Sequence, residues 1–187
     1  MKVAIIGAGS TYTPELIEGL IKSQAELGVD EVSMMDIDAE KLQIVGGLAA
    51  RMLKKAGLSC RAILTEDLDE ALRGANYVLA QIRVGRLPAR YLDETIPLKY
   101  GLLGQETTGI GGFFKALRTI PEIRHIARRM ECLCPDAWLI NFSNPSGILA
   151  QMLLSETDIR AIGLCNVPIN MCTDLRNQLC LPDAEFE

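Results

Sequence analysis

The stretch "VAIIGAGSTYTPEL", Val3 to Leu16, runs from an apolar segment through two closely spaced glycines into the start of a helix. A short apolar run that stops at glycine reads as a buried strand. Beyond it, Thr13 is placed to cap a helix, Pro14 suits its first turn, and Leu16, Leu20 and Leu27 recur on one face. Between strand and helix, Gly7 can make the tight turn and Gly9 can let the backbone approach a pyrophosphate at the helix amino terminus. Ser10 and Thr11 offer hydroxyls to the same phosphates. Tyr12 occupies the place of the third glycine in G-x-G-x-x-G, which predicts a slightly wider spacing of helix and strand. A glycine-rich turn with a purely structural role is the alternative.

Outward from this unit, short apolar runs alternate with segments of helical period, the pattern of parallel strands joined by crossover helices. Strands are predicted near 2–6, 32–36, 61–64, 77–82, 137–141 and 160–164. Helices are predicted over about 14–27, 39–56, 68–73, 115–132, 145–154 and 169–179. The fold class is α/β: a Rossmann-like, doubly wound, mostly parallel sheet with helices on both faces. Residues 1–164 are expected to form a dinucleotide-binding domain, and 165–187 to open a second one devoted to substrate and metal.

A length of 187 residues suits one domain and the beginning of another. A formal charge of −5 with no basic block excludes a phosphate-tracking surface, so no nucleic acid partner is expected. The apolar run Val3 to Ile6 is too short for a signal-peptide core or a membrane span, so a cytoplasmic protein without a membrane partner is expected. Six cysteines without a secretory signal predict reduced thiols. One histidine and no Cys-x-x-Cys pair argue against a complete structural zinc site.

Several residues bear on a site at the carboxyl edge of this sheet. Asp36 ends the second predicted strand, where a carboxylate accepts hydrogen bonds from an adenosine ribose and repels a 2′-phosphate, favouring NAD over NADP; capping of the next helix by Asp36 or Asp38 is the other reading. In "QIRVGRLPARYLDE", Arg83, Arg86 and Arg90 follow the fourth strand, as anion receptors or as solvated arginines on a loop. The segment 101–112, "GLLGQETTGIGG", holds five glycines and two threonines and is predicted to be a loop whose backbone approaches something closely, with Glu106 inside it. Asn141 and Asn144 end the fifth strand on the ligand-facing edge; before Pro145, Asn144 either points outward or caps a helix. In "GLCNVPIN", Cys165 stands at a strand exit beside Asn166, with Pro168 forbidding an immediate helix; it is a candidate thiolate facing the cleft or a packing group.

Taken together, "GAGSTYTPELIEGL", "IRVGRLPARYLDETIPLKYGLLGQETTGIGGFFKALRTIP", "CPDAWLINFSNPSG" and "GLCNVPIN" resemble the NAD- and metal-dependent glycoside hydrolases of family 4, most closely the 6-phospho-β-glucosidases. The resemblance implies that Arg90 and Asn144 hold the phosphorylated sugar with Asn166 as a further contact, and that Cys165 ligates a divalent metal, usually manganese. It implies a chemistry unlike two-carboxylate hydrolysis: transient oxidation at the third sugar carbon by NAD, elimination, water addition and return of the hydride. A tyrosine removes the proton, the metal polarises the ketone, and Glu106 tunes the tyrosine's basicity. The implied substrate is a phosphorylated disaccharide or β-glucoside, and the full-length form is expected to be a homo-oligomer.

The chain departs from that pattern in two places. His125, its only histidine, falls within a predicted helix far upstream of Cys165 and is assigned to a helix surface, not to the metal. Tyr12, Tyr77, Tyr91 and Tyr100 all precede the position of the family's base, which is expected beyond Glu187. The sequence is therefore expected to be a portion of a longer enzyme, inactive alone, with apolar groups near Ile169, Leu175 and Leu179 left for dimerisation or fraying. A 2-hydroxy acid dehydrogenase of the lactate or malate kind and a non-catalytic NAD-binding module are the competing readings.

Overall fold

The structure, a computed structural model, describes residues 1–181. In chain order its elements are β1 (Lys2–Ile6), α1 (Thr13–Lys22), α2 (Gln24–Leu27), β2 (Glu31–Met35), α3 (Ala39–Lys41), a π-helical segment (Leu42–Gly46) and α4 (Gly47–Lys55). There follow β3 (Arg61–Thr65), α5 (Leu68–Leu72), β4 (Tyr77–Ala80), α6 (Arg86–Thr95), a 3₁₀ turn (Pro97–Tyr100) and α7 (Gly109–Leu133). The last are β5 (Trp138–Asn141), α8 (Ser146–Glu156), β6 (Arg160–Gly163) and α9 (Asn166–Leu179).

The strands form one sheet in the order β3-β2-β1-β4-β5-β6, with every pairing parallel. Because β1 lies between β2 and β4, the chain direction across the sheet reverses at β1, and that is where such sheets open a crevice at their carboxyl ends. Alternation along β1 builds both halves of the core. Val3 and Ile5 pack with Ile17, Leu42, Ala49 and Leu53 on the α1 and α4 face. Ala4 and Ile6 pack with Leu72, Ile123, Met130, Leu149 and Leu153 on the opposite face, under α5, α7 and α8. A strand buried on both sides must be apolar throughout, which is why this run shows no polar alternation.

Four local expectations need correction. Thr13 does not cap α1: Tyr12 holds the cap position without a side-chain bond, while Thr13 is buried and its hydroxyl donates to the Ala8 carbonyl at 2.9 Å. The residues after β4 are not a loop, since Arg86–Thr95 forms α6; its amphipathic pattern is masked because Leu87, Tyr91 and Leu92 face outward. The glycine-rich segment is a loop only to residue 108, for its last four residues open α7. Pro168 does not delay α9, which begins at Asn166 and so places the proline in its first turn, where the missing N–H has no partner to lose.

All six cysteines are free, and only Cys134 is buried. Among the described residues no helix is long and apolar enough to cross a membrane.

Candidate functional site

The turn after β1 is shaped by what its glycines exclude. Gly7 has φ of +90°, and a Cβ there would lie 2.8 Å from the Gln81 carbonyl oxygen, so only glycine lets β1 and the end of β4 meet this closely. A Cβ on Gly9 would lie 2.9 Å from Asp36 Oδ2 and 2.8 Å from the Lys41 Cβ. The Gly9 N–H instead donates to Asp36 Oδ2 at 2.8 Å, and Asp36 Oδ1 accepts from the Asp38 N–H at 2.9 Å. Asp36 thus ties the glycine turn to the end of β2 and does not cap a helix. Capping falls to Asp38, whose Oδ1 accepts from the Lys41 N–H at 3.2 Å.

Ser10 is half-buried and Thr11 exposed at the start of α1, whose first turn has no side-chain cap. Tyr12 points outward, with its ring edge-on to Phe142 at 5.9 Å between centroids, so it does not wedge α1 from the sheet. These residues fit a bound dinucleotide: a glycine cradle that a side chain would fill, a carboxylate fixed beside it, and helix amides facing the same edge.

A second cluster gathers after β4. Glu106 accepts from Lys115 and from Arg83 Nη1, and its other oxygen forms an ion pair with Arg90 Nη1 at 3.2 Å. Arg90 Nε also donates to Glu94 at 2.7 Å. Three cations against two carboxylates leave one excess positive charge. Burial works to raise the Glu106 carboxyl, but the hydrogen bond and charge of Lys115, joined by Arg83, outweigh it and hold that carboxyl below its usual range. Lys115 is almost wholly buried, and that desolvation pulls its ammonium below the usual lysine value against the attraction of Glu106. Arg83 and Arg90 remain more than a third exposed, so the face of the cluster toward solvent is guanidinium.

The glycines around Glu106 are required by the chain's own packing. A Cβ on Gly104 would lie 1.9 Å from the Glu94 carbonyl oxygen, and one on Gly111 would lie 2.3 Å from that of Gln105. The loop therefore approaches its own backbone and α6, and this fixes Glu106 between α6 and α7. Lys115 was absent from the sequence-derived candidates; its place nine residues beyond Glu106, on the inner face of a helix, is visible only once α7 is known to begin at Gly109.

At the far end of the same edge, Asn141 is fully buried and folds back on Ser143, donating to its carbonyl at 3.0 Å and accepting from its N–H at 3.2 Å. It braces the turn and does not face a ligand. Asn144 is half-buried, joined to Pro145 by a cis peptide bond, and its amide makes no hydrogen bond with the described residues; the cap position of α8 belongs to Pro145. Cys165 is exposed in extended backbone at the start of α9, two residues past β6, with Asn166 exposed beside it. The sulfur is not packed into the core. His125 is exposed on α7, and no group of three metal-ligating side chains exists among the described residues. The described residues thus bring the glycine turn and Asp36 together, and Glu106 with Arg90, but they do not assemble a metal site around Cys165.

The sequence profile described as "Family 4 glycosyl hydrolase" matches residues 2–181. A Bacillus subtilis (strain 168) protein named "Probable 6-phospho-beta-glucosidase" is 53% identical over 91% of this chain and 39% of its own length. The 6-phospho-beta-glucosidase of Escherichia coli (strain K12) is 49% identical over 99% of this chain and 42% of its own. The chain therefore spans about two fifths of the length of these curated relatives. Among solved structures, the 6-phospho-beta glucosidase from Thermotoga maritima with manganese, NAD+ and glucose-6-phosphate superposes with a TM-score of 0.90 at 40% identity. That match covers 96% of this chain and 44% of the other.

Proposed function

The chain belongs to the family 4 glycosyl hydrolases, and from that premise we propose that it forms the NAD and sugar-phosphate side of a 6-phospho-β-glucosidase. The observation that carries this reading is the excess positive charge of the Glu106 cluster, which follows β4 on the same sheet edge as the glycine turn of β1. An anion receptor next to a dinucleotide crevice suits a phosphorylated sugar held against a nicotinamide.

Bound NAD would supply a reversible hydride acceptor. This chain's residues do the positioning. Gly7 and Gly9 admit the pyrophosphate, Ser10 and Thr11 offer it hydroxyls, and Asp36, steadied by two backbone amides, meets the ribose. Arg90, its Nε and Nη1 already directed by Glu94 and Glu106, presents the rest of its fork to the sugar phosphate. Asn144, whose amide makes no hydrogen bond among the described residues, and Asn166 contact the sugar, while Glu106 serves as the charged support behind the reacting centre. Cys165 is one donor for a divalent metal such as manganese. A thiolate alone does not make a manganese site, which prefers oxygen donors, and none is grouped with it among the described residues.

The same reading takes 1–164 as the nucleotide-binding domain and 165–187 as the opening of a second, in a cytoplasmic homo-oligomer acting on phosphorylated β-glucosides. Calorimetric titration tests it. NAD should bind, glucose 6-phosphate should bind better than glucose, and Arg90→Ala should remove that preference while leaving NAD untouched. Equal losses for the phosphorylated and unphosphorylated sugar would refute the role of Arg90.

A further inference from the structure

One ion pair at this edge joins the segment after β2 to the start of α6. Arg86 Nη2 lies 3.0 Å from Asp38 Oδ2. Asp38 follows β2 and Arg86 follows β4, and in the sheet those two strands flank β1. The pair must therefore cross above the carboxyl end of β1, over the turn that holds Gly7 and Gly9. The Arg86 side chain is 57% exposed, so the pair lies at the solvent side of that edge. Arg86 is also one of two non-glycine residues with positive φ among the described residues, at +55°, directly after Gly85 at +76°. Side chains rarely adopt that conformation.

We propose that Arg86 is the cation that receives the pyrophosphate of the dinucleotide, and that Asp38 is its partner only until the nucleotide displaces it. This rests on the NAD reading above. A pyrophosphate seated on the glycine turn lies between the two side chains. It attracts the guanidinium, whose planar fork suits two phosphate oxygens, and repels the carboxylate. Asp38 keeps a second occupation when it lets go, since its other oxygen caps α3 and Lys41 Nζ stands 3.6 Å away. Of the three arginines after β4, Arg83 and Arg90 are tied to Glu106, and Arg86 alone is aimed at the nucleotide side. One arginine thus serves the cofactor and another the sugar.

An ion pair in competition with a ligand has a signature that a structural ion pair lacks: its two members respond with opposite sign. Titrations of NAD, ADP-ribose and adenosine into the chain and two variants read it directly. Arg86→Asn, a residue that tolerates positive φ, should weaken NAD and ADP-ribose about tenfold or more and leave adenosine unchanged. Asp38→Asn keeps the helix cap but removes the charge, and should tighten NAD severalfold. Weakening by both variants would overturn the proposal, as would an adenosine loss equal to that of NAD; in either case NAD binding by the unaltered chain would leave the NAD reading standing. Absence of NAD binding to the unaltered chain would overturn both. Should Arg86→Asn fail to fold, Arg86→Lys replaces it: the charge is kept but the planar fork is lost, so NAD and ADP-ribose should still weaken severalfold with adenosine unchanged, and unchanged NAD affinity would overturn the proposal.

Discussion

Gly7 and Gly9 look interchangeable as symbols in a motif, yet they do different physical work. Gly7 is needed for a left-handed turn and for contact with the Gln81 backbone, so Gly7→Ala should destabilise the fold by about 2–3 kcal/mol, seen as a lower urea midpoint. Gly9 has ordinary φ and meets the Asp36 carboxylate. Gly9→Asp should therefore abolish NAD binding in calorimetry by filling the cradle with a second carboxylate; undiminished affinity would reject the cofactor assignment. Glu106 gives a test in pH. Its carboxyl is held below the usual range in the folded chain, so its stabilisation is complete above the unfolded value of about 4.3 and is lost as pH falls through the lower folded value. Glu106→Gln should be less stable than the parent at neutral pH, by about 2 kcal/mol because buried Lys115 loses its counter-charge. That gap should narrow in denaturant titrations below about pH 4. A gap independent of pH would mean that the charge is not what matters.

One buried pair of side chains ties α6 to α7. Arg118 donates Nη1 and Nη2 to the two oxygens of Asp93 at 2.9 and 2.5 Å, and Asp93 is only 5% exposed. Arg118→Met would strand that carboxylate and should lower stability by about 3 kcal/mol, the lower end for a broken buried pair because Arg118 itself is partly solvated. By contrast, Arg124→Ala, which removes an exposed pair with Glu156, should shift it by less than about 1 kcal/mol. Equal shifts in chemical denaturation would deny α6 its anchor. This helix was also the element least visible in the sequence. The strands were legible because each is a short, largely apolar run, and all six begin within a residue of where the runs do. α6 buries only Asp93 and shows its apolar side chains to solvent, so hydrophobic period, the signal used to find helices, points the wrong way there. The same cause hid Lys115, whose burial depends on where α7 starts. Glu106 and Arg90 were legible as residues, but their direct contact was not, because the fifteen residues between them include a helix and a turn that the apolar pattern does not reveal.

At the scale of the molecule, burial is uneven along the sheet. β1 at its centre has four of five residues buried, whereas β6 at its edge has none, and α9 beyond it also buries none. Val167, Ile169 and Met171 are each more than half exposed on α9, as is Leu179. A helix of this length has little stability of its own without a packed face. The expectation of uncovered apolar groups near Ile169, Leu175 and Leu179 is met in the geometry, and local stability should follow it. Amide exchange should be fastest in α9 and slowest in β1 and β4. Leu175→Ala should shift the unfolding midpoint by less than about 0.5 kcal/mol, whereas Ile17→Ala, at a site wholly buried beneath α1, should cost about 2–4 kcal/mol. If α9 amides were instead protected as strongly as those of β1 in dilute solution, some surface would have to cover that helix. Dilution would then identify it: protection that fades with concentration means that two copies of the chain cover each other through these residues, and protection that persists means that α9 has folded onto its own sheet.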